Sequence, residues 1–253
     1  MINLIATMNK TRMPLLALAL AFALCSISAP AAARAEGEGF DSPEAAVMAY
    51  LEGLRDGDLH RMISTFAIEN YAENFNLEAN LNMLRTYVML GHNQVMPNSN
   101  EFVALMNIES RRRNVTLMIQ NQYLSLCDLS FDRRQPQRMS EEAGIREFVD
   151  EFNKDLNEPK LYTIEIVKFI LPETLNDMYL SERTQSRMAQ RADILGADQI
   201  VSRVVAFTLD GDEYWLCLDV VRYGDKWFLE SLGGSFGLLL NIPADDGGVL
   251  RKQ

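Results

Sequence analysis

The chain has 253 residues, 24 Lys and Arg against 35 Asp and Glu, a formal net charge of −11, and 48% hydrophobic residues. So acidic a balance excludes a general attraction to nucleic acid or to anionic lipid surfaces. With only two histidines, His60 and His92, neither having a second His three to five residues away, a zinc site is not expected.

The first 35 residues read as a targeting segment. Lys10 and Arg12 precede the apolar run 15–24, and small residues end in Ala33-Arg34-Ala35 before Glu36, the A-x-A pattern of a secretory cleavage site. The run is too short to span a membrane, and no later stretch is long and apolar enough. Leu24 before Cys25 is too large for a lipid-attachment site. The expectation is a signal peptide at 1–35 and a secreted or periplasmic mature chain, with one domain at 36–235 and a loose tail at 236–253.

Ser42-Pro43-Glu44 opens a helix, with Ser42 as N-cap and Pro43 in the first turn. Its apolar stripe is Val47, Tyr50, Leu51 and Leu54, and Gly57 ends it. Asp58 caps a second helix with the stripe Leu59, Met62, Ile63 and Phe66. A third carries Leu77, Leu81, Leu84 and Val88 and stops at Gly91. Residues 101–126 read as a further helix, with polar 111–114 a candidate bend, and 141–156 as an amphipathic one. Alternation over 161–171 predicts a strand that stops at Pro172. A polar helix over 181–195 ends at Gly196. Three antiparallel strands follow, joined by Asp210-Gly211, suited to a type I′ turn, and Gly224-Asp225, suited to type II′. Helices first and a meander last make the chain α+β.

The segment DSPEAAVMAYLEGLRDGDLHRMISTFA, 41–67, with the closing strands and their Arg222-Tyr223-Gly224-Asp225-Lys226-Trp227 turn, resembles nuclear-transport-factor-2-like domains. That superfamily includes the ketosteroid isomerases. The resemblance covers 41–71 and 161–234 and leaves 93–157 as a helical elaboration. It implies a cone: a curved antiparallel sheet closed by helices, often around a ligand cavity. It also implies a first-helix tyrosine that donates to an oxyanion, matched by Tyr50, and a base near Glu73 and Asn74, although asparagine cannot serve as a base.

Register defines two sheet faces. Two-residue turns would place Leu218 opposite Arg203 and Ser231. One face then carries Val201, Arg203, Val205, Phe207, Tyr214, Leu216, Leu218, Val220, Trp227 and Leu229, and is the expected core face. Tyr50 of the first helix and Arg203, Tyr214 and Trp227 of this face are the candidate ligand-binding residues. Arg203 among apolar neighbours needs an acceptor: a native carboxylate, helix carbonyls or an anionic ligand. The other face carries Trp215, Cys217, Asp219, Phe228 and Glu230. Its expected state is exposed, with water screening Asp219 opposite Glu230 and the patch around Trp215 and Phe228 offered to a homodimer.

Other signals fall away. Gly233-Gly234-Ser235-Phe236-Gly237 matches G-x-S-x-G, but no histidine follows Ser235 as a hydrolase would need. Arg111-Arg112-Arg113 reads as a solvated helix face, and Asn114-Val115-Thr116 matters only in a glycosylating host. Export permits oxidation, so a Cys127–Cys217 disulfide and two ordinary buried thiols both stay open. No cofactor motif or metal cluster is present. The sequence therefore points to an exported non-enzymatic domain that binds a small apolar ligand or a protein partner. The alternative is a cone-fold isomerase, dehydratase or hydrolase using Tyr50 with an acidic residue.

Overall fold

A computed structural model describes residues 37–84, 95–127, 129, 142–156, 159–240, 242 and 247–252. The leader call, Cys25, His92, and the expected stop at Gly91 lie outside these residues.

The chain enters through α1 (Pro43–Asp56), whose N-cap Ser42 accepts from the Ala45 N–H and which ends at left-handed Gly57. Asp58 caps α2 (Leu59–Ser64) by accepting from the Arg61 N–H. The apolar pattern did not reveal α3 (Ile68–Asn74), and α4 (Leu77–Leu84) carries Leu77, Leu81 and Leu84 of the expected third helix. The next helix, α5 (Glu101–Leu126), is one continuous helix, without a break at 111–114. The amphipathic α6 (Glu142–Leu156) follows it.

A 3-10 turn, Leu161–Thr163, leads to strand β1 (Glu165–Ile170), so the strand is shorter than its alternating pattern. Pro172 starts the four-residue α7 (Pro172–Leu175), followed by a second 3-10 turn, Asp177–Leu180, and α8 (Glu182–Leu195). The meander is β2 (Gln199–Leu209), β3 (Asp212–Tyr223) and β4 (Lys226–Leu232), then α9 (Gly234–Leu239) and β5 (Val249–Arg251). The architecture is α+β.

Strand order is β1-β2-β3-β4, all antiparallel, and β5 shares the β4 side of β3. The residues expected in a loose tail thus close the sheet: Leu216 pairs with Val249 where β4 has already left β3. Asp210 at φ 51 and Gly211 at φ 91 give the positive pair that a type I′ turn needs. At the second hairpin the register departs from expectation. Val220 pairs with Leu229, but Asp219 pairs with Ser231 and Leu218 with Leu232. Glu230 is the extra residue of a β-bulge and does not stand opposite Asp219.

Both sheet faces are buried. On the expected core face, Val205, Phe207, Leu216, Leu218, Val220 and Leu229 pack with α1, α2 and α5. Helix α5 is no appendage, because Val115, Ile119 and Leu126 are part of that core. The other face corrects the expectation of exposure. Val204, Cys217, Val221 and Phe228 pack with Met188, Ala192 and Leu195 of α8 and with Phe236 of α9. Phe228 is 1% exposed and Trp215 is half-buried against the second core, so the face around them is largely covered. Apolar residues on both sides of β3 from Tyr214 to Val221, broken by Asp219, account for a strand buried on both faces.

Candidate functional site

The four candidate ligand residues do not converge. Tyr214, Leu218 and Arg222 lie four apart on β3, and Arg203 pairs with Leu218 while Trp227 pairs with Arg222. At about 3.3 Å per residue, Tyr214 and Trp227 therefore sit about 13 Å to either side of Arg203. Each is also occupied. Tyr214 stacks on Phe207 with ring centroids 5.5 Å apart, and Trp227 lies beneath the Arg222 guanidinium at 5.7 Å. Arg203 Nε donates to Glu44 Oε1 at 2.6 Å and its guanidinium also donates to the Ser202 carbonyl. Its acceptor is a native carboxylate, supplied from the first turn of α1.

Tyr50 is wholly buried, and its hydroxyl donates to Gln122 Oε1 at 2.5 Å. Gln122 Nε2 in turn donates to the Gly247 carbonyl at 3.2 Å, tying α1, α5 and the start of the closing segment together. Burial pushes the Tyr50 phenol well above its ordinary pKa. A buried donor already committed to an amide is a core residue with its hydrogen bond satisfied. Glu73 and Asn74 are at the end of α3, and Asn74 donates to the Asn70 carbonyl. Cys127 and Cys217 are two buried thiols that are not joined to each other. Burial, then Asp219 nearby, pushes Cys217 to about 12.

What the sequence concealed is a buried ion network on the second face. Arg191 of α8 donates to Asp219 Oδ2 at 2.6 Å, to Glu230, and to Ser231 Oγ at 3.2 Å. Ser202 donates to Asp219 Oδ1 at 2.7 Å. From α5, Arg111 donates to the Glu230 carbonyl at 2.6 Å, lies 3.6 Å from its carboxylate, and stacks over Tyr71 at 4.4 Å. Arg111 was expected on a solvated face but is 8% exposed, and its Nε has no hydrogen-bond partner among the described residues. Burial alone would raise Glu230, yet Arg191, Arg111 and two side-chain hydrogen bonds outweigh it and hold the carboxyl below its usual value. The bulge explains the geometry. It gives the two carboxylates different places along β3 and lets one arginine bridge them, where water was expected to screen them. Two arginines against two carboxylates leave no charge for a ligand to neutralise. A helix-pattern signal for Arg191 did exist: it stands on the same α8 face as Met188 and Leu195, where a charge must be paired.

A groove of about 350 Å³ opens between α1, α2 and α5. Leu54 and Gly57 of the α1 end, Leu59 and Met62 of α2, Thr116, Ile119, Gln120 and Tyr123 of α5, and Leu161 line it. No charged side chain lines it. The Tyr123 hydroxyl donates to the Leu156 carbonyl at the end of α6. Among the described residues no group of His, Cys, Asp and Glu could hold a metal, and no helix is long and apolar enough to cross a membrane.

No family model and no curated protein matches the chain. Among solved structures, a cystatin-like protein from Ruminococcus gnavus ATCC 29149 is similar at 17% identity and a TM-score of 0.46, over 83% of this chain and 44% of that one. The chain spans less than half the length of that protein.

Proposed function

We propose that this chain is a non-enzymatic binding domain that takes a small, uncharged, apolar molecule into the groove between α1, α2 and α5. The observation that carries the reading is a contrast. The groove is open and lined by Leu54, Leu59, Met62, Ile119 and Leu161, whereas Tyr50, Arg203, Asp219 and Glu230 are each held by a partner within the chain. A volume near 350 Å³ falls in the range of about 300–1,000 Å³ usual for small-ligand sites. A lining without charge favours a ligand that keeps none, because a buried unpaired charge would be costly.

Two further statements belong to this proposal. The chain is a nuclear-transport-factor-2-like domain in cone form, supported by the helix pair 43–64 laid on an antiparallel meander. It acts outside the cytoplasm after loss of residues 1–35, supported by the A-x-A pattern. The isomerase alternative has less support, since the Tyr50 hydroxyl is turned into the core towards Gln122.

The test is uptake of a neutral fluorescent naphthylamine by the purified chain. Leu59 is 42% exposed, so Leu59→Arg leaves the fold intact while placing a cation in the groove. Saturable uptake that drops at least tenfold in Leu59→Arg supports the site. No uptake, or equal uptake by the variant, refutes it.

A further inference from the structure

The outer side of β1 is an unpaired sheet edge: its residues make no backbone hydrogen bond other than to β2 among the described residues. Large apolar side chains stand along it. Tyr162 at one end is 74% exposed, Val167 in the middle 54%, and Leu171 at the other end 53%. Such an edge is a template for another strand, and a charged residue and a bulge ordinarily blunt it. Both are present here, but they are arranged so that the edge complements itself.

The bulge is at Val167. Ile166 pairs with Phe207 and Lys168 with Ala206, consecutive residues on β2, while Glu165 pairs with Thr208. Skipping Val167 puts Glu165 and Lys168 on one sheet face with Ile166 between them on the other. Without the bulge, residues three apart would point to opposite faces. Both charged residues are exposed, and neither forms an ion pair with any described residue. Ile166 and Phe169 face the first core and Ile170 the second, as this register requires.

We propose that β1 pairs antiparallel with β1 of a second copy, about a two-fold axis through Ile166, so that one sheet runs across both molecules. In an antiparallel pair of identical strands the axis must pass through a residue facing itself, because paired residues share a face. Centring on Ile166, with Val167 skipped on this edge as it is against β2, sets Glu165 of each copy against Lys168 of the other, twice over. It also brings the exposed Tyr162 of one copy towards the exposed Leu171 of the other, since the strand ends meet. No second complementary patch is needed, and the contact closes at two copies. An edge this short buries little area, so the dimer is weak. Opposed exposed charges make it weaken as salt rises.

Sedimentation velocity of the full chain between about 1 and 200 µM reads the proposal directly, in the concentration range of a small interface. The wild type is expected to pass from monomer to dimer. Glu165→Lys alone and Lys168→Glu alone each set like charges opposite one another and should remain monomeric, with unchanged circular dichroism because both sites are exposed. Mixing the two single variants restores opposite charges at both pairs, so a heterodimer should form at wild-type concentrations. The double variant carrying both substitutions should dimerise with itself. A monomeric wild type, single variants that still dimerise, or a mixture that stays monomeric overturns the pairing.

Discussion

Arg191→Met tests whether the buried network sets the stability of the second face. The guanidinium serves two carboxylates at once, Asp219 with 1% and Glu230 with 7% of their side chains exposed. Removing one partner of a buried ion pair costs about 3–5 kcal/mol, because the partner is left charged and desolvated. Two features hold this case to about 3 kcal/mol, the low end of that range. The Arg191 side chain is itself 31% exposed, so water reaches part of the pair, and Arg111 stays 3.6 Å from Glu230. For a domain of this size that loss lowers Tm by about 6–12 °C. Urea unfolding gives the free energy. A second change, Glu230→Gln in the Arg191→Met background, should recover part of it, since the charge left unpaired is gone. The pH dependence has a definite sign. Glu230 is depressed in the folded chain, so its contribution is present above the ordinary carboxylate pKa and lost as pH falls through the lowered folded value. In Arg191→Met burial remains and the main opposing charge is gone, so Glu230 rises, and the gap between variant and wild type narrows in acid. A loss under about 1 kcal/mol, the value of an exposed pair, with no pH dependence of the gap, would refute the reasoning.

Two other predictions concern residues the sequence singled out. Tyr50→Phe leaves Gln122 Oε1 buried without its donor and should cost about 1–3 kcal/mol, measured by urea unfolding, with uptake of the apolar probe unchanged. Gly57 and Gly196 both end helices at positive φ, 67 and 61, but their surroundings differ. A Cβ at Gly57 meets nothing within 4 Å, whereas one at Gly196 would come within 1.9 Å of the Asn74 carbonyl oxygen. Gly57→Ala should therefore lose about 1 kcal/mol of stability to left-handed strain, and Gly196→Ala clearly more, in thermal unfolding.

The caps and turns were legible because each is a local event. Ser42 with Pro43, Asp58, Gly196, and the Asp210-Gly211 turn need only a few neighbouring residues to specify them, and all stand as read. The alternation on β2 and β3 also identified the face against α1. Three features stayed hidden because distant residues cause them. Nothing around Glu230 announces a bulge. The two arginines that surround it come from residues 111 and 191, and their pull cannot be seen from a hairpin's own turn. The second buried face read as exposed because Asp219 and Glu230 interrupt its apolar pattern, and their burial is made tolerable by Arg191, Arg111 and Ser202, all distant in sequence. The closing strand was lost among glycines, since three residues are too few to show a period. The candidate site suffered in the same way. Arg203, Tyr214 and Trp227 share the sheet face that Tyr50 packs with, but sharing a face says nothing about distance along it.

The ties that close the first core also bear on how fast the chain folds. Tyr50 reaches Gln122, Gln122 reaches Gly247, and Glu44 reaches Arg203, separations of 72, 125 and 159 residues. The meander, in contrast, is made by neighbours across two-residue turns. Loop-closure entropy must be met before distant contacts reward it, so contacts this remote make for slow folding. The sheet can therefore pair early and then wait, with Val205, Phe207, Leu216 and Leu218 bare on one side, until α1 and α5 arrive. In that interval the most aggregation-prone surface of the chain is the one that becomes its best-protected interior.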